Sequence, residues 1–196
     1  MPEEQSQGQN QAQTQEMSEA EQERIWWEDY DASMQSLRQG NLDQALETAL
    51  RVGAEAPLNR IAEAYRQRAH SKMRENPQEA LSDLEKSATA YQNACSFSSE
   101  RNIIRDMLAA GGYQQALNHA LAVDAVSNQG ARSLFGEIGN VALEKEDIQT
   151  AAKAWIAGEF ETKLKQVKGK IPNWGEFRVG YERELEQMYE QHQRGD

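Results

Sequence analysis

Gly40–Val52 reads GNLDQALETALRV, and Gly111–Val123 reads GGYQQALNHALAV. Gln44, Ala45, Leu46, Ala49, Leu50 and Val52 of the first stretch return as Gln115, Ala116, Leu117, Ala120, Leu121 and Val123 of the second. A weaker copy, NPQEALSDL, surrounds Ala80, and DIQTAAKAW surrounds Ala151. The anchoring alanines Ala45, Ala80, Ala116 and Ala151 are therefore spaced 35, 36 and 35 residues apart. A fixed period of that length marks a stack of helical hairpins. The predicted fold is all-α: an α-solenoid of about four hairpins with a C-terminal capping helix.

Working outward, Ser18-x-x-Glu21 is a capping-box pattern that opens a helix. Ile25, Trp26, Tyr30, Met34 and Leu37 give that helix an apolar face, and Gly40 ends it in a left-handed cap position. The return helix runs from Leu42 to about Val52. Pro57 suits the first turn of the next helix, where its missing amide is not needed. Asn76-Pro77 opens the helix after that, and Phe97–Glu100 reads as a loop and cap. Ile103, Ile104, Met107 and Leu108 form a further stripe ended by Gly111-Gly112. Ser127–Gly130 reads as a turn, and two more helices lead to a stop near Gly158. Beyond it lie Lys163, Lys165, Lys168 and Lys170 with little apolar content, then a break at 169–175 and a last helix carrying Phe177, Tyr181, Leu185 and Met188. The expected organisation is a disordered Gln-rich tail over 1–16, helical repeats over 17–158, and a linker with capping helix over 159–196.

The hairpin unit resembles the tetratricopeptide repeat over roughly residues 25 to 158. In that family a small residue opens a tight turn, and a small anchor residue lets two helices approach closely. Gly40 with Ala45, and Gly111 with Ala116, match that pattern. The first helices match less well: the family's usual glycine occurs only as Gly139, while the equivalent sites hold Ser33, Arg68 and Ile104. The resemblance implies a right-handed solenoid whose first helices line a concave, peptide-binding face. Carried over in register, that face is lined by Trp27, Tyr30 and Met34, by Tyr65, Ala69 and Lys72, by Arg101, Arg105 and Leu108, and by Asn140. Aromatic anchors beside fixed cations suit an acidic, apolar peptide or a free carboxylate. The competing reading puts Trp27 and Tyr30 in the hairpin core and the arginines in solvent. Trp26-Trp27 is likewise either a docking or self-pairing site at the open end, or is buried under Leu46 and Leu50.

Net charge is −11, which disfavours nucleic acid and anionic membrane as general partners. No apolar run approaches a membrane span, and the N-terminus lacks the basic start and apolar segment of a secretory signal. Cys95 is the single cysteine, so no intrachain disulfide forms. His70, His119 and His192 lack metal-ligand spacing, no phosphate loop is present, and Cys95 has no histidine near it in sequence. The expectation is therefore a non-enzymatic, cofactor-free cytoplasmic protein that binds a protein or peptide as an adaptor or scaffold. A chaperone for an assembling client and a self-assembling protomer, hence a homo-oligomer, are the alternatives.

Overall fold

The structure is a computed structural model, which describes residues 18–127 and 131–194. The expectations for residues 1–16 and for most of the turn at 127–130 lie outside the described residues. Within them the chain is all-helical: α1 (Glu19–Arg38), α2 (Leu42–Val52), α3 (Glu55–Lys72), α4 (Pro77–Asn93), α5 (Phe97–Ala109), α6 (Tyr113–Ser127), α7 (Arg132–Glu144), α8 (Ile148–Ala157), α9 (Glu161–Val167) and α10 (Trp174–Arg194). α1 pairs with α2, α3 with α4, α5 with α6 and α7 with α8, and each pair packs on the next.

The anchor residues do what their size allows. Ala45, Ala80, Ala116 and Ala151 are all fully buried, so each hairpin crosses at a methyl group. Around them Leu58, Ile61, Leu84, Ile103, Ile104, Leu117 and Ile138 form one continuous core. At the fourth hairpin the bulky residue one turn beyond the anchor is Trp155, fully buried. The facing helix meets it with Gly139, where an added Cβ would lie 2.7 Å from Cε2 of the indole. The family-like glycine is needed at that hairpin because the tryptophan takes its space.

The hairpin turns share one closure. At Gly40 (φ +79°) the Asn41 amide donates to the Ser36 carbonyl at 2.9 Å, and at Gly111 (φ +83°) the Gly112 amide donates to Met107 at 2.8 Å. These are Schellman caps, which satisfy helix-end carbonyls at the cost of a left-handed residue. Cys95, Glu146 and Glu159 close their helices the same way with φ of 53°, 64° and 55°. The stop expected at Gly158 is thus shifted by one: Glu159 is the left-handed residue, and Gly158 is there because a Cβ would meet Phe135 and Phe160. Gly111→Ala is expected to destabilise by about 1–2 kcal/mol, the cost of a left-handed L-residue. Glu146→Gly, at the same structural position, should stabilise by up to about 1 kcal/mol. Urea denaturation of the two variants measures both signs.

Three local readings are corrected. Phe97–Glu100 is the first turn of α5, not a loop, because the cap at Cys95 lets the helix restart at once. The lysine-rich segment after Gly158 is not a bare linker: α9 buries Leu164 and Val167. The last helix, α10, does not merely close the end; it folds back across α8 and α6. There the Tyr189 hydroxyl donates to Asp124 at 2.9 Å, and Lys153 lies over the Tyr181 ring.

Candidate functional site

The residues expected on one concave face are dispersed. Met34, Ala69 and Leu108 belong to the core. Tyr65 is fully buried, with its hydroxyl donating to Asp43 on α2 at 2.7 Å and the Arg68 guanidinium over its ring. Burial and that hydrogen bond push the Tyr65 phenol well above its ordinary range. Lys86 also pairs with Asp43, and together these partners hold the Asp43 carboxyl below its usual value. Lys72 joins the same side of α3: it pairs with Glu79 at 3.1 Å and with Asp83 at 3.5 Å, while Arg68 grips Asp83 through two bonds of 2.6 and 2.8 Å. Tyr65 and Lys72 therefore tie α3 to α2 and α4, and present neither an aromatic anchor nor a free cation. The rotation of α3 that buries Tyr65 and pairs Lys72 with α4 differs from the one the repeat register implies.

What α3 turns toward α5 instead is Arg66 and His70, both on Asp106 at 2.6 and 3.0 Å. Beyond them Arg105 pairs with Glu137 of α7 at 3.1 Å. Leu108, Tyr113, Glu137, Val141 and Lys145 join Arg105 around an open cleft of about 540 Å³. Arg101 is exposed. Asn140 is exposed and accepts a hydrogen bond from Lys163 of α9 at 2.6 Å. Of the three cations expected to cluster, Lys72 pairs with Glu79 and Asp83 and Arg105 with Glu137, while Arg101 is exposed.

The aromatic residues of α1 behave differently. Ser18 caps the helix through its side chain, accepting from the Glu21 amide at 3.3 Å. Trp26, Trp27 and Tyr30 then form a three-ring cluster: Trp26 stacks on Tyr30 at 5.4 Å, and Trp27 meets both rings edge-on at 4.8 and 5.7 Å. The Trp26 indole donates to the Val52 carbonyl at the end of α2 (3.1 Å), fixing the cluster in place. Neither tryptophan is buried under Leu46 and Leu50: Trp26 is 37% and Trp27 53% exposed, and Leu50 itself is 37% exposed.

Among the described residues four side chains have buried polar atoms without a hydrogen-bond partner, Trp155, Tyr181, Glu100 and His119, and the last two are titratable near neutral pH or below. Both carboxyl oxygens of Glu100 and Nε2 of His119 are buried without a hydrogen-bond partner. Burial pushes Glu100 up to about 7 and His119 down to about 4, so the imidazole is neutral at physiological pH. His119 lines a cleft of about 260 Å³ between α4 and α6 with Gln92, which bonds its Nδ1 at 3.2 Å. Neither group has a nucleophile or a second titratable partner in contact with it among the described interactions, and no three His, Cys, Asp or Glu residues among the described residues cluster to hold a metal. No described helix is long and apolar enough to cross a membrane.

Compared with known proteins, the chain matches no family model, no curated protein and no solved structure.

Proposed function

We propose that this chain is a non-catalytic protein-binding scaffold, a right-handed solenoid of four hairpins that works in the cytoplasm and holds a partner protein at its first hairpin. One observation carries the reading. Of the five large apolar side chains well exposed among the described residues, four (Ile25, Trp26, Trp27 and Leu50) belong to that hairpin. A contiguous apolar patch on an otherwise polar surface marks an interaction site, and tryptophan and tyrosine dominate the energetics of interface centres. The rings are held by one another and by Val52, so little side-chain entropy remains to be lost on binding. The cleft between α5 and α7 is the weaker candidate, since its arginine is already paired.

The test is co-purification of the tagged full chain from its own host, beside Trp27→Ser and the double variant Arg101→Glu, Arg105→Glu. A partner should accompany the wild type and the arginine variant and be lost from Trp27→Ser, while helical circular dichroism stays unchanged in all three. Loss from the arginine variant alone would move the site to the α5–α7 cleft. Isolation of every form without a partner would remove the scaffold reading.

A further inference from the structure

Among the described residues, α2 runs beside only part of α1. α1 has 20 residues and α2 has 11. At 1.5 Å per residue, α1 outruns its partner by about 13 Å. α2 reaches the level of Trp26, whose indole meets Val52, and the chain then turns at Gly53 into α3. On α1, every residue from Glu19 to Glu28 is exposed. An overhanging helix is ordinarily polar all round, yet this one carries Ile25, Trp26 and Trp27 at the point where its neighbour stops.

Charge narrows the occupant. Residues 18–53 hold 8 acidic and 3 basic residues, whereas residues 54–94 hold 6 of each. The excess surrounds the rings: Glu23 lies one turn before Trp27 on the same row of the helix and Asp31 one turn after it, both exposed. We infer that the exposed face of α1, from its overhang to Asp31, docks a basic amphipathic helix of a partner protein, its apolar face on Trp26, Trp27 and Tyr30 and its lysines or arginines against Glu23 and Asp31. The inference rests on the protein-binding reading above and adds the partner's chemistry. A helix fits because, among the described residues, α2 stops at Val52 while α1 runs on past it. Cations gain twice, from the carboxylates and from the ring faces. A second copy of this chain would set one acidic hairpin against another, and an anionic lipid surface would be repelled for the same reason.

Isothermal titration of the full chain with two synthetic helical peptides of about five turns tests this. Both carry a leucine face; one has lysine and the other glutamate on the polar face. The Leu/Lys peptide should bind one to one, more weakly as salt rises. Its affinity should fall about tenfold or more in Trp27→Ser and in Glu23→Lys, Asp31→Lys. It should be unaffected by Glu184→Lys, Glu186→Lys on α10, which controls for unspecific attraction to an acidic protein. Equal, Trp27-dependent binding of the Leu/Glu peptide would overturn the charge assignment and leave the docking reading standing. A wild-type dimer in light scattering that Trp27→Ser dissolves would give the surface to a second copy. Absence of Trp27-dependent binding by the Leu/Lys peptide would overturn the inference, whatever co-purification then shows of the scaffold itself.

Discussion

Trp155→Ala is expected to lower the unfolding free energy by about 3–5 kcal/mol, the range for emptying a fully buried tryptophan site. Trp155 is the largest side chain without solvent contact among the described residues. Its space exists because the helix across from it has Gly139, and no other residue type leaves room for the indole. Gly139→Ala tests the same packing from the opposite side. Alanine gains about 1 kcal/mol of helix propensity over glycine, but its methyl group would overlap a rigid ring that has nowhere to move. Overpacking of that kind costs about 1–3 kcal/mol, so the net effect is destabilising. The pair should couple. Trp155→Leu in the Gly139→Ala background should be less destabilised than the sum of the single changes by about 1 kcal/mol or more, as equilibrium denaturation would show. Strict additivity would mean that the two residues do not share one space.

The second large effect is a pH dependence centred on Glu100. Its carboxyl is buried without a partner and pushed up from 4.5 to about 7. Below about pH 4.5 the group is protonated in both folded and unfolded chains and adds no pH dependence. Between pH 4.5 and 7 the unfolded chain ionises while the folded chain keeps its proton, so stability falls as pH rises. Above 7 the loss levels off at about 3 kcal/mol, at about 1.4 kcal/mol per unit. Glu100→Met keeps the volume and removes the charge. The stability of the variant relative to the wild type should rise by about 3 kcal/mol between pH 4 and pH 8, read from denaturation across that range. Asp43, whose carboxyl is held low by Lys86 and Tyr65, contributes the opposite slope at acid pH in both proteins and so cancels from the difference. A stability difference that does not change with pH would show that Glu100 is solvated.

The second helices of the hairpins were legible from the sequence and the first helices were not, for a physical reason. A second helix is fixed by a tight turn and by a small residue at the crossing, both of which are visible as Gly40 with Ala45 and as Gly111 with Ala116. A first helix is held on both sides by neighbours, and its rotation follows from which side chains find partners. α3 shows this: Asp43, Lys86 and Asp83 draw Tyr65, Arg68 and Lys72 toward α2 and α4, leaving Arg66 and His70 facing Asp106. None of those pairings has a spacing that periodicity can detect. The α5 start was missed because Cys95 adopts the left-handed cap without the glycine that advertises it. The exposure of Trp26 and Trp27 was in principle readable. Ser18 and Gly40 bound a helix nearly twice as long as the one between Leu42 and Gly53, so part of α1 had to outrun α2.

Hydrogen–deuterium exchange of the full chain, alone and with the protein that co-purifies with it, tests most directly whether the first hairpin is the binding surface. The account predicts slowed exchange over α1, strongest in its first half around Trp26 and Trp27, with α5 and α7 unchanged. Protection confined to α5 and α7, with α1 exchanging as in the free chain, would contradict it.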